Sequence, residues 1–239
     1  MRIKIVNPNT SQLMTESIDS AARRYKRHDT EITTVLLKSG PSVIDGYYDE
    51  VLASAGILEE IKIGLHENFD GFIIACFSDP ALKACREIST APIVGIGEAS
   101  MLLACTIAYK FAIVSMPKSA TASMRALLSA YGLESRCASI RMIDVSVSQL
   151  ETGLAKTKKL FLQEARKAIG EGAEAILLGC AGLSGLDKEF EKELGIPIID
   201  GVVAAVKLLE SLHDYEIKTS KILTYRTPEK LRKATIFRR

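Results

Sequence analysis

Residues 70–76 read Asp70-Gly-Phe-Ile-Ile-Ala-Cys76, and residues 174–180 read Glu174-Ala-Ile-Leu-Leu-Gly-Cys180. The two stretches align without a gap: an acidic residue, an apolar strand, a small residue and a cysteine. A Pro-led apolar run follows each, beginning 16 residues after the first cysteine and 17 after the second. Strand–helix units resemble one another in every α/β protein, but here both cysteines fall at the same step. We interpret this internal repeat as evidence of two similar halves. Each half would have a thiol at the carboxyl end of a parallel strand, where open α/β sheets bind ligands.

Along the whole chain, short apolar runs rich in Val and Ile alternate with longer amphipathic segments. The apolar runs are residues 3–6, 32–37, 71–75, 93–96, 111–115, 139–143, 174–178 and 197–199. Amphipathic patterns over residues 12–25, 50–66 and 157–170 predict helices between them. The alternation predicts an α/β protein with two pseudo-symmetric domains, each a mainly parallel sheet flanked by helices, and an active-site cleft between them.

The domain boundaries follow from where the chain would cross between the halves. We expect a first domain of residues 1–96 plus 200–239, completed by a helix over residues 201–213, and a second domain of residues 97–199. A chain of 239 residues is long enough for either one large domain or two of about 100 residues each.

Composition limits the partners. The chain has 31 Lys and Arg against 29 Asp and Glu, a net charge of +2, with no basic stripe and few aromatic residues. Nucleic acid is therefore not an expected partner. No apolar stretch approaches the roughly 20 residues of a membrane span, and the apolar run before Pro8 is too short for a signal peptide. We expect a cytoplasmic homo-oligomer that acts on a small molecule and binds no membrane.

Metal and cofactor signals are missing from the sequence. The five cysteines form no CxxC pair, and His28, His66 and His213 are scattered. Gly95-Ile-Gly97 lacks the third glycine of a dinucleotide-binding loop. We therefore expect no disulfide, no metal and no organic cofactor, and chemistry performed by side chains alone.

The segment that follows Cys76 predicts a helix directly after the thiol. Asp79 is a good N-cap and Pro80 a good first helical residue. The backbone N–H groups of Phe77 and Ser78 would then point into the cleft, and the positive end of the helix would favour a thiolate.

Cys180 is flanked by Gly179 and Gly182, which allow the backbone at Ala181 and Gly182 to approach a ligand closely. Cys85 and Cys105 lie in helical apolar patterns and are expected in the core.

Polar residues after other strands are further candidates for substrate binding. Asn9, in Asn7-Pro-Asn-Thr-Ser11, follows the first strand, although Thr10 or Ser11 can equally cap the next helix. Ser42 follows the second strand, and Ser115 and Ser119 follow the fifth. We expect these residues to offer neutral hydrogen bonds to a polar ligand, in a cleft whose loops contain no charged residue.

Two identical acid/base groups on opposite faces of a carbon suit inversion of its configuration. A thiolate on one face removes the proton, and a thiol on the other face returns one. Because free thiols have a pKa near 8.5, a thiolate and a thiol can coexist near neutral pH.

Six motifs in order also carry a resemblance to a known family. They are Asn7-Pro-Asn-Thr-Ser11, Gly40-Pro before Tyr48-Asp-Glu, Cys76-Phe-x-Asp-Pro-x-Leu82, Gly95-Ile-Gly-Glu-Ala99, Leu178-Gly-Cys-Ala-Gly-Leu183 and Pro197-Ile-Ile-Asp-Gly-Val202. From Ile3 to about Glu210 the chain resembles the hydantoin and allantoin racemases of the aspartate/glutamate racemase superfamily. The resemblance implies two pseudo-symmetric α/β domains and cofactor-independent racemisation by two cysteines, which map onto Cys76 and Cys180.

The sequence departs from the family after the fifth strand. Family members usually have Thr-Thr and then an Arg-Thr pair there, whereas this chain has Ser115, Met116, Lys118 and Ser119. The departure leaves the side-chain preference of the substrate open.

We expect a racemase of 5-substituted hydantoins, allantoin or a related cyclic ureide. The alternatives within the superfamily are an aspartate or glutamate racemase, a maleate cis–trans isomerase, and a malonate decarboxylase, which needs only one thiol. A non-catalytic small-molecule binding protein is the alternative from another class, and it would have no use for matched thiols.

Overall fold

Strands and helices alternate along the chain, and the strands of the described residues form two four-stranded sheets. The computed structural model describes residues 1–145 and 153–231. The first half contains β1 (Arg2–Asn7), α1 (Gln12–Tyr25), β2 (Glu31–Leu36), α2 (Tyr47–His66), β3 (Gly71–Ile74), α3 (Leu82–Ile88), β4 (Ile93–Gly95) and α4 (Ile96–Ile107). The second half contains β5 (Phe111–Ser115), α5 (Thr121–Ala130), β6 (Cys137–Met142), α6 (Leu154–Gly170), β7 (Ala175–Leu178), α7 (Asp187–Leu194), β8 (Ile198–Ile199) and α8 (Gly201–Asp214).

The two sheets have the same topology. Their strand orders are β2-β1-β3-β4 and β6-β5-β7-β8, and every described strand pair is parallel. Cys76 and Cys180 each lie two residues beyond the end of an equivalent inner strand, β3 or β7. The predicted fold class, two parallel-sheet α/β halves flanked by helices, is confirmed.

One hydrophobic core runs between the two sheets. It joins Ile73 and Val94 of the first sheet to Ile113 and Leu177 of the second, all almost completely buried. The helices α4 and α8 fill the space between them: α8 packs against β3 and β4, while α4 packs against β5, β7 and β8. Because this core is shared, the division into residues 1–96 plus 200–239 and 97–199 stays a prediction.

Asp79 corrects the expectation for the segment after Cys76. The helix α3 begins only at Leu82, after a turn in which Asp79 and Ala81 both have positive φ. The carboxylate of Asp79 instead accepts the backbone N–H groups of Gly97, at 3.0 Å, and Glu98, at 2.7 Å. Asp79 therefore caps α4 and not α3, the helix that follows it directly in the sequence.

The reason lies at the N-cap of α4, which is Gly95 and offers no side chain. A Cβ atom at Gly95 would lie only 2.1 Å from Oδ1 of Asp79, so the glycine makes room for the incoming carboxylate. In the second half the aspartate is itself the N-cap residue of the helix, and it binds the cysteine loop. Asp200 caps α8 through the N–H of Val202, at 2.8 Å, and accepts the N–H of Gly185, in the loop after Cys180, at 2.8 Å. An aspartate thus ties each cysteine loop to a central helix.

None of the helices within residues 1–145 and 153–231 is both long and apolar enough to cross a membrane. The cytoplasmic location and the homo-oligomeric state stay predictions.

Candidate active site

A cavity of about 50 Å³ lies at the carboxyl ends of the inner strands and contains both thiols. Six residues singled out from the sequence line it: Asn9, Cys76, Phe77, Ser78, Cys180 and Ala181. The remaining lining residues are Met14, Ile44, Asp45, Gly46, Glu50, Ala75, Met116, Ala120, Ser123, Met124 and Gly179. The two halves therefore bring one cysteine each to a single small space, which favours a compact ligand.

The thiol of Cys76 is held by the residue two positions further along. Oγ of Ser78 lies 3.4 Å from Sγ of Cys76, and the backbone N–H of Ser78 also donates to the sulfur. Burial nevertheless raises the pKa of Cys76 to about 12, because these hydrogen bonds to Ser78 only partly offset the loss of solvent. The expectation that a helix terminus favours the Cys76 thiolate is therefore wrong, since α3 begins six residues beyond Cys76.

Cys180 has a matching environment. The backbone N–H of Gly182 donates to its sulfur, in the position that Ser78 occupies relative to Cys76. Burial raises the pKa of the Cys180 thiol above its ordinary value, and the charge of Asp45 raises this pKa further. Near neutral pH both thiols are thus mainly protonated, and a small fraction is thiolate.

The backbone N–H groups beside the cysteines differ from those that hold the sulfurs. Within residues 1–145 and 153–231, the N–H groups of Phe77 and Ala181 have no hydrogen-bond acceptor. Both residues line the cavity and each directly follows a cysteine. They form a symmetric pair of donors that remains available to a ligand oxygen.

Asn9 reaches the cavity from the loop after β1. Its Oδ1 accepts Nδ2 of Asn7 and the backbone N–H of Ser11, both at 2.9 Å. Its Nδ2 has only the sulfur of Met14, at 3.6 Å, as a partner in the described ranges, and a thioether is a weak acceptor. Asn9 is only 3% exposed, so this donor is held in place.

Four of the predicted binding residues are not among those that line the cavity. Ser115 is fully buried, and its Oγ donates to the carbonyl of Gly179 at 2.6 Å. Ser42 is exposed, and the exposed Ser119 donates to the carbonyl of Asp45 at 3.2 Å. Gly182 holds the sulfur of Cys180 and does not itself border the cavity.

Asp45 and Glu50 are the residues that sequence reasoning missed, and they contradict the expectation of a cleft without charged residues. Both lie around the start of α2 and line the cavity. Burial and the nearby Asp49 raise the pKa of Asp45. The negative charge of Glu50 raises the pKa of the Cys76 thiol, and the negative charge of Asp45 raises the pKa of the Cys180 thiol. In the sequence, the Tyr48-Asp-Glu motif was the one signal that pointed to this segment as part of the site.

Three methionines, Met14, Met116 and Met124, form much of the apolar wall. Methionine is flexible and polarisable, so such a wall adapts to the shape of what it contacts.

Within the described ranges, no group of three or more His, Cys, Asp or Glu residues is suited to hold a metal ion.

Comparison with known proteins defines the class. Residues 3–209 match the sequence model of the family described as Asp/Glu/Hydantoin racemase. The chain is thus a racemase, an isomerase that inverts a stereocentre. It belongs to the Asp/Glu/Hydantoin racemase family, as the resemblance of its six motifs predicted.

Individual relatives agree with this assignment. The chain is 44% identical over 231 residues to a hydantoin racemase from Pseudomonas sp. (strain NS671), covering 96% of this chain and 93% of the relative. An allantoin racemase from Klebsiella pneumoniae superposes with a TM-score of 0.94 at 40% identity, covering 96% of this chain and 94% of the other. An allantoin racemase from Pseudomonas fluorescens superposes with a TM-score of 0.93 at 32% identity, covering 96% and 97%.

Proposed function

We propose that the protein racemises 5-substituted hydantoins or allantoin without a cofactor, using Cys76 and Cys180 as two acid/base groups. The observation that carries the proposal is the placement of both thiols in one cavity, after equivalent strands of two halves with the same topology. The relatives named hydantoin racemase and allantoin racemase support the substrate class.

The reaction needs one thiolate and one thiol. The thiolate of one cysteine removes the proton from the substituted ring carbon and leaves a planar carbanion. The thiol of the other cysteine then delivers its proton to the opposite face, so the configuration inverts and the roles of the two sulfurs are exchanged. For the opposite enantiomer the same steps run in the other direction.

The negative charge of the carbanion moves onto the adjacent amide carbonyl. The unpaired N–H groups of Phe77 and Ala181 are candidates to receive that oxygen, since fixed donors stabilise charge that develops in a transition state. The N–H groups of Ser78 and Gly182 serve the sulfurs instead and stabilise each thiolate as it forms.

The lining disfavours a carboxylate on the substrate. Among the described residues no Lys, Arg or His borders the cavity, whereas Asp45 and Glu50 do. A substrate carboxylate would meet two like charges and no counter-charge, and an unpaired buried charge is costly. A cyclic ureide has no carboxylate at the reacting carbon.

Proton exchange in D₂O tests the proposal. Single enantiomers of a 5-substituted hydantoin and of allantoin are incubated with the protein, alongside aspartate, glutamate and a disubstituted malonate as controls. We expect loss of optical rotation together with deuterium at the ring carbon. Exchange in the amino acids but not in the ureides would refute the substrate class. Release of CO₂ from the malonate without racemisation of any ureide would refute the reaction.

A further inference from the structure

Asp45 has an unexplained buried oxygen. Its Oδ1 is inaccessible to solvent and has no hydrogen-bond partner within residues 1–145 and 153–231. Leaving a buried acceptor unsatisfied destabilises the folded protein, and the cost is larger for a charged group. Asp45 lines the cavity, and its carboxylate, which has no described hydrogen-bond partner, is placed to accept a hydrogen bond from a ligand donor there.

The backbone of Asp45 is fixed on both sides. Its N–H donates to Oδ2 of Asp49 at 2.9 Å, and its carbonyl accepts Oγ of Ser119 at 3.2 Å. Ser119 belongs to the second half of the chain, so this bond attaches the segment before α2 to the other side of the cavity. A carboxylate on a backbone held in this way is oriented in advance of binding.

The chemistry of the carboxylate restricts its partner. An ionised aspartate accepts hydrogen bonds and cannot donate them, so the ligand group that meets the carboxylate must carry an N–H or O–H. A cyclic ureide carries N–H groups on its ring, and allantoin carries more on its ureido arm. Asn9 offers the complementary group, because its Nδ2 is a donor whose one described partner is the weak acceptor Met14.

We propose that Asp45 binds the substrate by accepting a hydrogen bond from an N–H of the cyclic ureide, while Nδ2 of Asn9 donates to a ring carbonyl. This assignment rests on the proposed function and names the residue that recognises the ureide. A ring of alternating N–H and C=O groups satisfies both side chains at once. A carboxylate cannot, because it would bring a second acceptor to Asp45.

The test uses a ligand that binds but cannot react. 5,5-Dimethylhydantoin has the ureide ring but no proton on the substituted carbon, so its affinity reports recognition alone. Its Kd is measured by calorimetry for the wild type and for Asp45→Ala and Asp45→Asn. Asp144→Ala is the matched control, because Asp144 is an exposed aspartate paired only with Lys118 among the described residues.

We expect Asp45→Ala to raise Kd at least about tenfold, Asp45→Asn to raise it less because an acceptor oxygen remains, and Asp144→Ala to leave it unchanged. Methylation of one of the two ring nitrogens should weaken binding to the wild type by a similar factor. The Asp45→Ala variant should not distinguish that methylated ring from the parent ring.

Three results would overturn the assignment. They are undiminished affinity of Asp45→Ala, equal affinity of the wild type for the parent and both N-methylated rings, and no binding of the parent ring by the wild type. The comparison of methylated rings needs only the wild type, so it stands if a variant does not fold. Because the ligand is inert, binding without any turnover of reactive hydantoins would refute the proposed function and leave this assignment intact.

Discussion

The hydroxyl of Tyr131 donates a hydrogen bond of 2.7 Å to Oδ2 of Asp79, and this bond joins the two halves of the molecule beside the active site. Tyr131 follows α5 in the second half, and Asp79 lies three residues after Cys76 in the first. The same carboxylate caps α4. Burial raises the pKa of Asp79 to about 7, while the hydrogen bonds from Tyr131 and from the backbone favour its ionised form. The position of the Cys76 loop therefore depends on a residue of the opposite half.

The variant Tyr131→Phe removes only the donor hydroxyl. Because a buried carboxylate loses a partner, we expect the free energy of unfolding to fall by about 1–3 kcal/mol, measured by urea denaturation. We also expect kcat/KM to fall, since the Cys76 loop loses a constraint. Tyr109→Phe is the control, because Tyr109 is 73% exposed, and it should change neither quantity. Unchanged stability of Tyr131→Phe would show that the bond contributes nothing.

The two-thiol mechanism predicts a particular pattern in single cysteine variants. Cys76→Ala and Cys180→Ala should each abolish racemisation, because neither retains a proton donor on both faces of the substrate. Each should still exchange the proton of one enantiomer for deuterium, detected by NMR. Cys105→Ala, at a cysteine outside the cavity, should remain active. Full racemisation by either Cys76→Ala or Cys180→Ala would contradict the mechanism.

Alkylation of Cys76 should depend steeply on pH. Since burial raises the pKa of Cys76 to about 12, the reactive thiolate is a minor species whose fraction grows about tenfold for each pH unit below that value. We expect the rate of iodoacetamide modification at Cys76, followed by peptide mass spectrometry, to rise about a hundredfold from pH 7 to pH 9. Substrate should slow the modification. A rate that levels off within this range would mean that the thiol ionises more readily than its burial predicts.

Gly179 should tolerate no side chain. An added Cβ would lie 2.4 Å from Cβ of Ser115, a contact that requires the strand ends to move apart. We expect Gly179→Ala to lower the free energy of unfolding by about 1–3 kcal/mol and to reduce activity, because Cys180 is the next residue. In Gly170→Ala the new Cβ meets nothing within 4 Å, and stability should change by less than about 1 kcal/mol. Similar stability of the two variants would count against this packing argument.

Substrate preference should follow the charge of the cavity. We expect kcat/KM for 5-substituted hydantoins or allantoin to exceed that for aspartate and glutamate by at least about a hundredfold, roughly 2.7 kcal/mol of transition-state preference. Asp45 and Glu50 supply the physical reason, since both repel a substrate carboxylate. Comparable rates on a free amino acid, measured under the same conditions, would contradict this preference.

The fold and the placement of both thiols in one cavity could be predicted, because both follow from the local pattern of apolar residues in the sequence. Each of the eight apolar runs forms a strand in the structure, and the helix predicted over residues 12–25 has those bounds. Once two parallel strands are equivalent, residues at their carboxyl ends face the same region. Cys76 and Cys180 could therefore be assigned to one cavity without knowledge of any long-range contact.

Other features depended on contacts that no local pattern encodes. Asp79 follows the rules for an N-cap, but the helix that it caps begins about 17 residues later in the sequence, at Ile96. Ser115 lies in a strand that is buried along its whole length, so alternation does not reveal which way its side chain points. Asp45 and Glu50 reach the cavity because the segment before α2 folds over it, and Ser119 of the other half holds that segment.

The packing of α8 against β3 and β4 of the first sheet has a consequence for synthesis on the ribosome. The strands of the first sheet emerge early, yet α8, which covers β3 and β4, is translated after both sheets. Leu209 of α8 packs against Gly71 at the start of β3, so this face of the nascent first half remains without its cover until residue 209 has left the exit tunnel. Chains truncated before α8 should therefore expose apolar surface of the first half and be substrates for chaperones and proteases. The order of translation therefore makes completion of the first half depend on α8.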